Sequence, residues 1–299
     1  MTSGPAGTPD PAGRFEPHRR YLLGLAYRML GSFAEAEDAV QDAYLRWHDA
    51  SAKGGIDDAR AYLARTVARL CLDRLKSAHA RRESYVGPWL PDPVLDEAGL
   101  VADEPHGEYA NDLSVALLLT LERLSPLERA AFLLHDVFDM PFAEIAATLG
   151  RSEAACRQLA GRAREHVRAG RPRYRASDEA RQRLVLAFAA AVQSGDANEI
   201  ARHLAADAVF YSDGGGKVPA ALNPIEGADK VARLIVGLAT KFAMPPGTSA
   251  RFAHINGLPG FVIAGPDGPF QTVAFEIGDD GLIGAIYTVR NPDKLRHLH

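Results

Sequence analysis

Two cysteines in 299 residues, Cys71 and Cys156, are too few and too far apart for a disulfide framework, and no second thiol or histidine stands at ligand spacing from either. The histidines, His203 and His254 among them, show no mutual spacing typical of a metal site, so no metal and no cofactor is expected. No apolar run approaches the roughly 20 residues that a membrane helix requires. The opening stretch, MTSGPAGTPDPAG, lacks the basic-then-apolar order of a signal peptide and is written in Pro and Gly, which reads as a disordered lead-in over 1–13. Nor does charge of one sign dominate: 34 Lys and Arg face 38 Asp and Glu, a formal net charge of -4. There is no internal repeat. A cytoplasmic protein with no membrane attachment is expected.

What remains is ordinary globular composition, 47% hydrophobic and 24% charged, in a chain long enough for two or three domains. From Arg14 to about Arg82 apolar residues recur at helical intervals, as at Leu22, Leu25, Ala26, Met29 and Leu30. Tyr85 to Asp112 then carries prolines at 88, 91, 93 and 105 among many acids, the writing of an acidic linker rather than a packed element. Helices resume from Leu113 to about Arg168, and AGRPRYRASD makes a second break. Beyond it, helices over 179–193, 197–204 and 228–242 precede strand-like segments at 260–264, 271–277 and 281–289, which is α+β order.

Against the near-neutral total, arginine is concentrated in one place. Phe142, Ile145, Ala146 and Leu149 make one apolar helix face, Gly150 permits a tight turn, and Ser152 caps a second helix. On that helix Ala155, Leu159, Ala163 and Val167 lie to one side, while Arg157, Gly161, Arg164 and Arg168 cluster opposite, flanked by Gln158 and Arg162. Two short helices with a glycine turn, the second basic outside, are what a helix-turn-helix reader of the major groove requires. Arg157, Gln158 and Arg162 suit base edges, whereas Arg164 and Arg168 suit phosphates.

LSPLERAAFLLHDVFDMPFAEIAATLGRSEAACRQLAGRAREHVR resembles region four of bacterial sigma factors, which reads the promoter −35 element. AEAEDAVQDAYLRWHD resembles the region-two helix that docks on the RNA polymerase clamp, and ARAYLARTVARLCLDRLKSAHARR the helices that melt and read the −10 element. With no domain between the two regions, the arrangement is similar to that of extracytoplasmic-function sigma factors. The resemblance implies polymerase binding through Asp38, Gln41, Asp42 and Arg46, and −10 contacts from Arg65, Arg69, Lys76, Arg81 and Arg82. One departure bears on −10 reading: the family often has Asn where this chain has Arg69.

YVGPWLPDPV, YSDGGGKV and VRNPDKL resemble the subgroup of these factors that carries a fused SnoaL-like C-terminal domain. That likeness implies a multi-domain protein: a disordered lead-in 1–13, all-α region two over 14–86, linker 87–112, all-α region four over 113–173, and an α+β conical-barrel domain over 177–299. It also implies that the extension modulates activity through Trp89, Leu90 and Pro91 of the linker and through Asp213, Gly214, Gly215, Gly216, Lys217, Asn291, Pro292 and Asp293. Whether it represses or assists stays open. Trp89, flanked by prolines, suits a rigid aromatic anchor.

Related isomerases use a carboxylate base with two oxyanion donors. Matching LAADAVFYSDGGG to the base-bearing segment puts Asp213 at the base, but Phe188 and Val273 at the oxyanion positions, where neither side chain donates a hydrogen bond. Asp followed by three glycines is also an ordinary turn signal. Lys217 either binds an anion or pairs with Asp213. The expected function is a non-catalytic sigma factor whose partners are RNA polymerase core and promoter DNA, monomeric when free, with room for an unidentified small-molecule ligand in the C-terminal domain. The alternatives are a SnoaL-like isomerase or hydrolase with a DNA-binding head, and a ligand-responsive repressor.

Overall fold

A computed structural model of the chain describes residues 11–53, 56–98, 100, 109, 112–169, 177–242 and 244–298. The described residues fall into two compact units. The first takes residues up to Ala80, Gly99–Asp112 and Thr120–Ala169; the second takes Arg81–Ala98, Leu113–Leu119 and Gly170–His299. Neither is continuous in sequence.

The first unit is all helix: α1 Pro11–Phe15, α2 Arg19–Leu30, α3 Phe33–Ser51, most of α4 Ala59–Glu83, the end of α5 Val115–Glu122, α6 Pro126–Phe132, α7 Phe142–Leu149 and α8 Glu153–Ala169. Gly31, at φ 66°, closes α2 by donating its N–H to the Tyr27 carbonyl. Trp47 of α3 is fully buried, and its indole N–H donates to the Pro11 carbonyl at 2.8 Å. Ser125 and Glu128 form a reciprocal capping box at the head of α6. One turn on, Arg129 is 3% exposed, bonded to Glu122 at 2.6 Å and to the Met29 carbonyl at 2.7 Å. Burial pushes its pKa down to about 9, which leaves the guanidinium charged at neutral pH and able to hold both partners. T-shaped packing of Tyr21 on Phe138 joins the same two stretches of sequence.

The second unit is α+β, as the order of elements predicts. Helices α9 Asp178–Ser194, α10 Ala197–Ala201 and α11 Ala228–Lys241 accompany strands β1 Leu204–Asp213, β2 Ile225–Glu226, β3 Ser249–Ile255, β4 Leu258–Gly265, β5 Gly268–Ile277 and β6 Ile283–Val289. The six strands form one sheet in the order β2-β1-β6-β5-β4-β3, antiparallel except for the β1–β6 pair. One apolar cluster holds Phe188, Ala191, Phe210, Val231, Phe275 and Ile286, joining α9 and α11 to the sheet. A second, on side chains of the opposite parity (Ala274, Ala285, Tyr287), holds Leu90, Val115, Leu295 and Leu298. So the sheet is covered on its second face by the linker, the start of α5 and the C-terminal turn.

That covering corrects the expectation of an unpacked linker. Leu90, Pro91, Asp92, Pro93 and Val94 are all buried. Prolines make this inexpensive: Pro91 and Pro93 bring no N–H that would need a partner away from water. The N–H and carbonyl groups of Leu90 and Val94 are met, as described below.

Candidate nucleic-acid interface and linker clamp

Helices α7 and α8 are joined by Gly150 at φ 63°, and the Ser152 hydroxyl accepts the Ala155 N–H at 3.2 Å, so the predicted turn and cap are present. The buried stripe of α8 differs from the sequence reading. It is Cys156, Ala160, Ala163 and Val167, with Ala155 and Leu159 half-buried, because small side chains at 156, 160 and 163 let α8 lie close against α6. Arg157, Gln158, Arg162 and Arg168 are exposed. Arg157 pairs with Glu153 at 2.7 Å one turn back and stands 5.2 Å from the Phe142 ring centroid. Arg162 bonds Glu128 of α6 at 2.7 Å, and half-buried Arg164 bonds Asp136 at 2.5 Å. Glu128 is thereby held below the usual carboxylate range, first by Ser125 and next by Arg162. Gly161 lies on this outer side, and a Cβ placed there would meet nothing within 4 Å.

On α3, Asp38, Gln41, Leu45 and Arg46 are exposed, and Leu45 is 57% so. Arg74 of α4 reaches this helix, bonding Asp42 at 2.6 Å and standing 3.8 Å from Asp38. The sequence reading did not single out Arg74. Along α4, Lys76 pairs with Asp73, and Arg65 stands 4.0 Å from Glu144 of α7. Arg69 donates from Nη2 to the Ala147 carbonyl at 2.8 Å and from Nε to the Thr148 carbonyl at 3.3 Å. The side chains of Arg81 and Arg82 lie outside the described residues. Tyr62 is half-buried against Trp47 at 5.8 Å.

The three motifs of the linker and extension meet at Asp213. This residue ends β1 and is fully buried. Its Oδ1 accepts the Tyr85 hydroxyl at 2.6 Å and the Gly215 N–H at 3.0 Å; its Oδ2 accepts the Leu90 N–H at 2.9 Å and Lys294 Nζ at 2.9 Å. Lys294 also donates to the Leu90 carbonyl and lies 4.3 Å from the Trp89 ring centroid. Asn291 donates to the Tyr85 oxygen at 2.9 Å. Desolvation first, and then the bond to Asp213, pushes the Tyr85 hydroxyl well above its ordinary pKa, which keeps it a neutral donor. Further along, Val94 exchanges two bonds with Asn256, and Leu95 forms a bridge with Ile255 at the sheet edge.

Glycine is required here. Gly215 has φ 60°, and a Cβ would fall 2.2 Å from the Asn291 amide; at Gly214 it would fall 2.4 Å from the Val218 carbonyl. The turn reading of DGGG was therefore right about the glycines and incomplete about Asp213, which is a buried hub. Lys217 pairs with Asp293, not with Asp213. Lys294, Tyr85 and Asn256 were missed. The signal for Lys294 was present, as a lysine beside NPD with no assigned partner. Asp213 shares the parity of Tyr211, which packs on the second cluster, whereas Phe188 and Val273 pack with the first. Asp213, Phe188 and Val273, matched to the isomerase base and oxyanion positions, are thus divided between the two faces of the sheet.

Among the described residues no group of three or more His, Cys, Asp or Glu is gathered as a metal site. None of the described helices is long and apolar enough to cross a membrane.

Residues 14–81 match the family Sigma-70 region 2, and residues 114–167 match Sigma-70, region 4. The chain is 42% identical over 294 residues to the ECF RNA polymerase sigma factor SigJ of Mycobacterium tuberculosis, covering 94% of this chain and 91% of that protein. It is 40% identical over 194 residues to the probable ECF RNA polymerase sigma factor SigI of the same species, covering 62% of this chain and 64% of that protein. The crystal structure of M. tuberculosis SigJ superposes with a TM-score of 0.74 at 37% identity, over 95% of this chain and 98% of that one.

Proposed function

This chain belongs to the extracytoplasmic-function (ECF) RNA polymerase sigma factors, which bind core polymerase and direct it to promoters, and from that premise we propose how its residues divide the work. The exposed face of α3, with Asp38, Gln41, Leu45 and Arg46, meets the polymerase clamp; Asp42, tied to Arg74, holds that face to α4. Arg65, Arg69, Lys76, Arg81 and Arg82 supply the −10 contacts. Arg157 and Gln158 read −35 base edges and Arg168 holds a phosphate. Arg162 and Arg164, engaged with Glu128 and Asp136, chiefly fix α8 on its domain and add positive potential. A glycine within a helix costs about 1 kcal/mol against alanine, and no internal contact requires Gly161. It leaves room for the DNA backbone to come close.

The extension modulates initiation by holding the linker, and the observation that carries this is the Asp213 hub. Its carboxylate is fully enclosed and bonded by Tyr85, Leu90, Gly215 and Lys294, so it is not a base awaiting a substrate. With Phe188 and Val273 on the other face, the domain works as a contact and sensing module without catalysis. The protein acts in the cytoplasm, on DNA, as a monomer when free. A small molecule that enters the first apolar cluster remains compatible with this reading.

The test is promoter-dependent transcription by purified core polymerase with the full chain and with Asp213→Asn. Initiation that requires the protein and changes level in the variant is expected. DNA binding without any initiation would favour a repressor, and turnover of a small ketone lost in Asp213→Asn would favour an isomerase. Arg157→Ala should cost about 1 to 3 kcal/mol on the cognate −35 sequence and relax discrimination at one base pair. Equal losses on every −35 variant would remove its base-reading role.

A further inference from the structure

Arg69 has two claims on its guanidinium. The last four carbonyls of a helix have no partner within it. At the end of α7 the Ala146 carbonyl is taken by the Gly150 and Arg151 N–H groups, and those of Ala147 and Thr148 are taken by Arg69. One turn earlier on both helices, Arg65 faces Glu144. Cations at i and i+4 of α4 thus meet an anion and a helix C-terminus at i and i+4 of α7, which is the favourable end of the helix dipole for positive charge.

This packing is incompatible with a promoter. By their names the −10 and −35 elements lie about 25 base pairs apart, on the order of 85 Å along B-DNA at 3.4 Å per step. Helix α8, 17 residues long, spans only about 25 Å. With α4 bonded to the end of α7, which turns directly into α8, the two readers cannot lie on both elements at once. Phosphate oxygens and the α7 carbonyls also compete for the same donors.

We propose that Arg69, aided by the Arg65–Glu144 pair, is a latch that keeps the first unit closed, and that −10 DNA opens it by taking the arginines from α7. The proposal rests on the reading of α4 as the −10 helix given above. A latch residue at a position where the family often has Asn makes the free protein self-restraining through its own DNA-binding side chain.

The experiment uses the full chain with spin labels at Glu37→Cys and Glu165→Cys; both native cysteines are buried. Distances between labels are measured in the otherwise unchanged protein, in Glu144→Gln, and in Arg69→Met. The closed distance should dominate the first, and a longer one should gain population in both variants. Binding of a −10 single-strand oligonucleotide should tighten about threefold in Glu144→Gln, which frees Arg65 and weakens the latch without removing either arginine, and weaken in Arg69→Met. Distances that stay unchanged in both variants overturn the latch. Opening in both, with oligonucleotide affinity unchanged in Arg69→Met, overturns the competition with DNA and the −10 role of Arg69 while leaving the closed packing itself intact.

Discussion

Arg69 and Asp213 each tie distant stretches of sequence together, but Arg69 does so in water and Asp213 out of it. The guanidinium of Arg69 is exposed and holds backbone carbonyls, an interaction that water and salt weaken to on the order of 1 kcal/mol. The carboxylate of Asp213 is 0% exposed and its lysine partner 8%, so losing either leaves an uncompensated buried charge. The first junction is built to let go on contact with an anion. The second is built to persist, so the linker is better regarded as part of the C-terminal domain than as a tether.

Substitutions can break that contrast at decreasing cost. Asp213→Ala should destabilise the second unit by about 3 to 5 kcal/mol by stranding Lys294, and thermal unfolding of the full chain should fall accordingly. A loss below about 1 kcal/mol would mean that water reaches the site. Leu90→Ala removes an apolar side chain that is 1% exposed and should cost about 3 kcal/mol, with faster amide exchange through 90–95 and little change at α7. Gly161→Ala should move two readouts in opposite directions: stability should rise by about 1 kcal/mol while −35 DNA binding weakens. Smallest is the pH effect of Glu128. Its carboxyl is held low in the folded protein, so the stability it adds is complete above the ordinary carboxylate range and is lost as pH falls through its lowered value. Glu128→Gln should flatten that part of the acid-unfolding curve without altering stability near pH 7 by more than about 1 kcal/mol.

Helices were legible in the sequence because their signals are local: Gly150 and Ser152 mark the α7–α8 turn. Strand β1 was not. LAADAVFYSD places three alanines and an acid in its first five residues, where alternation should show, and its parallel pairing with β6 depends on residues about 75 positions away. Strand β3 was missed because SARFAHI alternates weakly at an edge. The motifs around Trp89, Asp213 and Asn291 could be recognised as belonging together, yet the bonds between them could not be written down. Periodicity reports which face is buried and says nothing about which carboxylate a given lysine will find. The undecided partner of Lys217 and the overlooked Lys294 share that cause.

The linker's apolar side chains also have a history on the ribosome. Leu90 and Val115, which complete the second cluster, are synthesised well before the strands that cover them. Between Asp178 and Lys294 lie roughly 115 residues, which at ~5 to 20 residues per second take on the order of 6 to 25 s to translate. For that interval the DNA-reading helices are already made while Lys294, which completes the anchor of their linker at Asp213, is not. Each new copy of the protein therefore passes through a brief youth in which its linker is bare, before the sheet closes over it.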